Sequence, residues 1–323
     1  MTVSRVINGA GPVRAKTRAH VEAVIKQLNY RPNAAARALA GGSQTRIALF
    51  YGNPSREYLS EVLLGCLEGS RLNDVELLVQ YEGDFLGEET RSSRSKERQV
   101  DAIILPPPLC DNLTLIAGLL AAGTRVAVIA SGEPAPGVVA VGIDDLVAAR
   151  EMTERLVSMG HRRIGFIAGN RNQTASSKRL QGYMEALEAS GVTIDKSLIV
   201  DGDFTYVTGV RAADKLLDLI EPPTAIFASN DDMAAGALAA AHRRGLSTPG
   251  GLSVCGFDDT PLAAAVWPAL TTVRQPVAAM TAYAVEALAA WVRSGGIHPF
   301  GADRARLFAH EIVGRGSDGP PQA

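Results

Sequence analysis

The chain of 323 residues is predicted to be an α/β protein with two doubly wound parallel-sheet lobes behind a small all-α head. Three observations predict this. From Arg46 onward short apolar strands alternate with helical stretches, and the alternation restarts after Gly160. The first 46 residues instead carry helical periodicity. The composition is that of an ordinary globular protein, 46% hydrophobic and 20% charged, which excludes a disordered or fibrous chain.

In the head, Val3, Val6 and Ile7 share one face of a short helix that stops at Asn8-Gly9, and a GAGPV turn follows. Residues 15–29 then place Val21, Val24, Ile25 and Leu28 at helical spacing, with Lys16, Arg18 and Lys26 outward. Tyr30-Arg31-Pro32 ends that helix, because a residue before proline disfavours the helical region. Asn33 caps a last short helix, AAARALA, over 33–40, and Gly41-Gly42 ends it. A helix of about two turns is marginal in water, so it should fold only when something holds it.

The body reads as two series of buried parallel strands. The first is RIALFY (46–51), VELLVQ (75–80), VDAIIL (100–105), RVAVIA (125–130) and VVAVGI (138–143). The second is RIGFIA (163–168), LIV (198–200), TAIFA (224–228) and LSVCGF (252–257). Continuous apolar runs of this length suit strands covered on both faces, and such sheets bind ligands at the carboxyl ends of their strands. The ending GRGSDGPPQA (314–323) is expected to be flexible, with the tail itself at 317–323, too short for an oligomerisation helix.

The formal charge of −2 conceals an asymmetry. Residues 1–46 hold eight Lys and Arg against Glu22 alone, a net +7, which leaves −9 for the remainder. A basic helical end on an acidic body suits a polyanion partner, and a solvated helix surface is the other reading of the charge.

Several classes are disfavoured. No apolar run approaches a membrane span, and the start MTVSRVINGAGPVRAKTR lacks the apolar core of a signal peptide, so no membrane association and a cytoplasmic location are expected. Cys66, Cys110 and Cys255 are odd in number, scattered and without His at ligand spacing, so buried thiols are expected rather than a disulfide framework or metal site. Phosphate-binding, dinucleotide-binding, metalloprotease and nucleophile-elbow motifs are all missing, and Asp231-Asp232 and Asp258-Asp259 lack an accompanying nucleophile. No enzyme, cofactor or catalytic residue is therefore expected.

Over nearly its whole length the chain resembles the LacI/GalR family of bacterial transcriptional regulators. TVSRVINGAGPVRAKTRAHVEAVIKQLNYRPNAAARALA is similar to the family's DNA-binding end. GHRRIGFIAG (160–169), KRLQGYMEAL (178–187), FASNDDMAAGAL (227–238) and VCGFDDTPLA followed by LTTVRQP (254–276) match body landmarks in order and spacing. The resemblance implies a helix-turn-helix head, a hinge helix and a periplasmic-binding-protein-like body. It also implies operator DNA, a sugar-like small-molecule effector and a second copy of the chain as partners.

Residue by residue, the resemblance puts Thr2, Ser4 and Arg5 on the base-reading face of the recognition helix, where Arg can donate twice to guanine. Asn8, Arg14, Thr17 and Arg18 would hold the DNA backbone, and Asn33 would cap the hinge helix. Leu39 would wedge into the minor groove, with packing against the body as the alternative, while Ala36 would let two hinge helices approach. In the effector cleft the matching positions are Arg179, Asn230, Asp258, Asp145 and Gln275, with Arg179 and Asp258 expected on opposite walls. Phe204 stands where a ring stacks on the ligand, a core phenylalanine being the other reading. GNPSREYL (52–59) departs from the family's usual exit from the first strand; Tyr58 would stand in for its aromatic, and Arg56-Glu57 alters the local polarity.

Family members carry one more helix and turn ahead of the recognition helix, and Met1 here stands at what resembles a base-reading position. A truncated helix-turn-helix is thus expected at 1–45, followed by a lobe of 46–158 plus 274–300 and a lobe of 159–273 plus 301–316. The expected function is a repressor controlled by its effector. The alternative is a cytosolic small-molecule-binding protein that has lost specific DNA binding through the truncation.

Overall fold

The computed structural model describes residue 6, residues 13–27, 44–81, 100–295 and 305–322. The chain separates into two compact units, Met1–Gln44 and Thr45–Ala323. In the first, α1 (Ala15–Gln27) realises the helix expected over 15–29, and Val6 is buried. The Arg14 carbonyl accepts from the amides of Thr17 and Arg18 to start α1, and no acid lies in its first turn.

In the second unit, β1 (Thr45–Tyr51), β2 (Val75–Tyr81), β3 (Ala102–Leu105), β4 (Arg125–Ile129) and β5 (Val139–Gly142) form one parallel sheet. The period of two divides β1 between two cores. Ile47 and Leu49 pack with α2 (Arg56–Asn73), while Ala48 and Phe50 pack with α3 (Leu113–Ala121). Burial on both sides explains why β1, β3, β4 and β5 read as unbroken apolar runs, whereas the edge strand β2 is buried only at Val75. After β5 the chain crosses over into α4 (Asp145–Ser158) and a second sheet.

That sheet contains β6 (Ile164–Ala168), β7 (Ile199–Asp201), β8 (Ala225–Ala228), β9 (Ser253–Asp258) and β10 (Thr271–Arg274). Among them run α5 (Thr174–Ala189), α6 (Tyr206–Leu217), α7 (Asp231–Arg243) and the short α8 (Pro261–Ala265). The chain returns at 275–276 to α9 (Val277–Arg293), which packs on α2, β4 and β5. The α2–α9 contact is close: a Cβ on Gly65 would collide with the Ala278 carbonyl, so only glycine fits there. Finally β11 (Ala305–Leu307) joins the edge of the first sheet beside β5, and β12 (Glu311–Val313) pairs antiparallel with β10.

The expected segment boundaries need three corrections. α4 packs against α5, β10 and β12, so it belongs with the second lobe and not with the first. β11 belongs to the first sheet, so the last crossing falls between Leu307 and Glu311. The ending is no loose tail over 317–322. Ser317 is buried, donating to the Val254 carbonyl and accepting from the Thr271 amide. Asp318 meets Arg155 at 2.7 Å, and the Gly319 carbonyl lies 2.9 Å from His161 Nε2.

Candidate functional site

Between the two lobes lies a half-open cleft at the carboxyl ends of the strands, where open α/β sheets bind their ligands. Tyr58, Arg179, Phe204, Asn230 and Asp258 line it, and Asp145 and Gln275 stand directly behind through hydrogen bonds to this wall. Five of the seven residues expected at the cleft thus line it, and the other two back that wall.

Each is delivered by the end of an element. Asp145 opens α4 immediately after the first crossing between lobes, and Gln275 lies on the second. Arg179 sits on α5, in the turn after the cleft-lining Gln173 and Ala175. Asn230 caps α7, its Oδ1 accepting from the Met233 amide at 2.9 Å and its Nδ2 donating to the Phe204 carbonyl at 3.0 Å. Asp258 ends β9.

Arg179 is the centre of the charged part. Its Nε donates to Asp145 Oδ1 at 2.8 Å and its Nη1 to the Ser229 carbonyl at 2.5 Å. Asp258 Oδ1 is 3.8 Å from Nη1, and the guanidinium lies over the Phe257 ring, 3.7 Å from its centroid. Arg179 and Asp258 are thus neighbours on one wall, which corrects the expectation of opposite walls. Both project from the second lobe, because α5 and the end of β9 flank the same sheet.

Burial sets the protonation of this cluster. It works against the charge on Arg179, but Asp145 and Asp258 outweigh it and hold the guanidinium firmly protonated. Burial raises Asp145, with Arg179 opposing. Burial pushes Asp258 up to about 7, opposed by Arg179 and by Gln275, whose Nε2 donates to Oδ1 at 2.6 Å. Asp231, behind Asp258, is raised as well; it accepts from Thr260 and Thr272, a structural arrangement at the base of the wall.

Phe204 packs in the core of the second lobe and also lines the cleft, its ring lying against Gly169, where a Cβ would overlap it. Phe204 (φ 69°), Ala130 (φ 54°) and Asp258 (φ 109°) all line the cleft with positive φ, a strained backbone that persists where the surroundings over-determine it. Tyr58 lines the cleft from the first lobe. Its hydroxyl is buried without a hydrogen-bond partner, as are Gln275 Oε1 and Ser229 Oγ.

Sequence reading missed the groups that join the lobes. Ser55, the cap of α2, donates from Oγ to Asp232 Oδ2 at 2.6 Å. Asp111 accepts from the Thr174 amide at 2.9 Å and from its hydroxyl at 2.7 Å, and Lys178 Nζ lies 2.9 Å from Glu133. Ser55 lies within the atypical GNPSREYL segment, which is the one signal that pointed here.

In the head, Thr17 is exposed and Arg18 half-buried at the start of α1, next to Arg14 and Lys16. Cations around a helix N-terminus without acids repel the helix dipole, and a phosphate would relieve that. Thr2, Ser4, Arg5, Asn8, Asn33, Ala36 and Leu39 lie outside the described residues.

Fold and cleft define a two-lobed domain of the periplasmic-binding-protein-like type, and the family described as "Periplasmic binding protein-like domain" matches residues 153–317. Residues 1–33 match "Bacterial regulatory proteins, lacI family". The catabolite control protein A of Priestia megaterium is 34% identical over 299 residues, 89% of this chain and 87% of that protein. A "transcriptional regulator CelR-cellobiose complex" superposes with TM-score 0.77 at 30% identity, covering 97% of this chain and 94% of the other. A lac repressor dimer bound to operator and an anti-inducer superposes with TM-score 0.75 at 25% identity, covering 98% and 94%. The chain belongs to the LacI family of bacterial transcriptional regulators.

Proposed function

We propose that this regulator is a homodimeric repressor whose operator affinity is controlled by a sugar-like effector held between its lobes. The observation that carries the reading is the convergence of the cleft residues at the crossings: Asp145 and Gln275 stand where the chain passes between lobes. A ligand gripping Tyr58 on one lobe and the Arg179 cluster on the other has a different affinity for open and closed forms. Only such a difference can shift the equilibrium. Lobe closure then alters the spacing of two heads on DNA.

In this reading Thr2, Ser4 and Arg5 read bases, Asn8, Arg14, Thr17 and Arg18 hold phosphates, and the Asn33-capped hinge helix offers Ala36 to its twin and Leu39 to the minor groove. The protein acts in the cytoplasm, where its operator is. Dimerisation through the first lobe is supported by exposed Leu64 and Leu67 on α2 and by Val79 and Tyr81 on the edge strand β2. The CelR complex, with its cellobiose, supports a carbohydrate in the corresponding cleft.

The test is operator selection from random duplexes, followed by anisotropy titration at fixed salt with and without a panel of sugars. The reading requires sequence-specific binding that one sugar changes at least about tenfold. Selected duplexes that bind no better than random ones would refute it.

A further inference from the structure

The proposed function leaves open whether the cleft takes a neutral sugar or an acidic derivative such as a sugar phosphate. We infer that it takes an uncharged, hydroxyl-rich effector and rejects carboxylated or phosphorylated ones, because the chain's own carboxylates already occupy the cationic and helix-terminal positions around it. The inference rests on the interlobe cleft being the effector site.

The first ground is the state of the one cation in the wall. Arg179 is bonded to Asp145 and to the Ser229 carbonyl, faces Asp258, and has one ring face covered by Phe257. An incoming anion would have to displace a carboxylate from a buried pair, leaving that acid without its partner in a desolvated place. Lys178, on the same helix, is taken by Glu133, and Arg56 is exposed and lines none of the cleft.

The second ground lies in the helix N-termini that open next to lining residues. Such termini bind phosphate and carboxylate when their amides are free. Here five of them carry an acid of the chain, while α8 and α9, which open after Asp258 and Gln275, have none in their first turns. α5 donates its Thr174 amide to Asp111, and α4 has Asp144 as cap and Asp145 in its first turn. α7 has Asp231 and Asp232 in its first turn, and Asp203 accepts from the Thr205 amide ahead of α6. At α2 the capping Ser55 hydroxyl is bonded to Asp232, and Glu57 lies in the first turn. The helix N-terminus in the head is the opposite case, with no acid in its first turn.

The third ground is what remains unsatisfied. The Tyr58 hydroxyl, on a lining residue, is buried, neutral and unpartnered, and so are Gln275 Oε1 and Ser229 Oγ on residues behind the lining. Buried polar atoms are normally paired, and a group that both donates and accepts satisfies the Tyr58 hydroxyl in full. A sugar hydroxyl does this, whereas an ionised carboxylate only accepts.

The experiment uses the full chain and matched probes: glucose with glucose 6-phosphate, ribose with ribose 5-phosphate, cellobiose with cellobionate, and inorganic phosphate alone. Thermal shift finds binders, calorimetry measures them, and competition by Phe204→Ala and Asn230→Ala variants locates them in the cleft. The expected result is that a neutral member binds, that its anionic counterpart is at least about tenfold weaker, and that phosphate does not bind. Tighter binding of any anionic member, or no neutral binder in a panel extended across neutral mono- and disaccharides, overturns the inference. A neutral sugar that binds in the cleft without altering operator affinity upholds the ligand class while refuting the regulatory reading.

Discussion

Replacing Arg179 with methionine tests the energetic centre of the cleft. Methionine keeps much of the volume and the contact with Phe257 but removes the guanidinium. Asp145 then loses a partner at 2.8 Å, the Ser229 carbonyl loses its donor, and Asp258 loses the charge 3.8 Å away. Removing one member of a buried ion pair costs about 3–5 kcal/mol. The alternative route gives a similar figure. If Asp145 instead becomes protonated at pH 7, the cost for a carboxyl of ordinary acidity is roughly three pH units at 1.36 kcal/mol each, about 4 kcal/mol. Asp258 adds less, because burial already raises its carboxyl toward neutral pH. Against a typical domain stability of roughly 5–15 kcal/mol, the variant should fold but unfold at clearly lower urea. The second substitution, Asp145→Asn in the Arg179→Met background, removes the stranded charge and should restore more than half the loss. Effector affinity should fall at least about tenfold in both variants. The assay is urea unfolding at constant m-value, with calorimetry for the effector. A loss below about 1 kcal/mol for Arg179→Met, or no recovery on adding Asp145→Asn, would refute the view that Arg179 chiefly neutralises these acids.

Three more outcomes are expected. Effector affinity should rise with pH between about 6 and 8, by at most about tenfold per unit, because a ligand hydroxyl donating to Asp258 favours the ionised form of a group lying at about 7. Burial opposes that ionisation, as do Asp232 and Asp145, while Arg179 and Gln275 favour it, and the neighbouring Tyr58 and Asp231 are themselves held protonated by burial and by Asp258; calorimetry in buffers of different ionisation enthalpy should record proton release, and a flat profile excludes Asp258 as an acceptor. Gly169→Ala should force the Phe204 ring out of its place and weaken effector binding, at a stability cost of about 1–3 kcal/mol, whereas unchanged affinity would mean the ring face is not used. His161, bonded to Thr224 Oγ1 at 2.8 Å and to the Gly319 carbonyl at 2.9 Å, has its pKa lowered by burial, so the stability it contributes is present above about 6.5 and lost as pH falls through its depressed folded value; urea midpoints at pH 7.5 and 5 should differ less in His161→Gln than in the parent.

Much of the fold was legible in the order of residues, since most parallel strands buried on both faces are continuous apolar runs. AIIL in β3 and IGFIA in β6 are fully buried and were read as strands. The three strands that escaped reading lack such a run: β10 begins Thr271-Thr272, β11 is exposed throughout and β12 is only partly covered. Edge position explains β11 and β12, because one neighbour and a wet face demand no apolar side chain. The identities of the cleft residues were likewise legible through the landmarks that carry them, as with Asn230 in FASNDD and Asp258 in VCGFDD.

Tertiary structure alone decided how those residues act on one another. Asp145 and Arg179 are 34 positions apart, and Gln275 and Asp258 are 17 apart; only the packing of α4 and α5 and the parallel pairing of β9 with β10 bring each pair within 3 Å. The same holds for Ser55 and Asp232, separated by 177 positions yet bonded across the lobes. Periodicity reports which face of an element is apolar, but carries no information about which polar group will meet which at the ends of strands. Whether Arg179 is free to grip an anion or already neutralised is a matter of neighbours in space, and so is the assignment of α4, β11 and the last residues to their lobes.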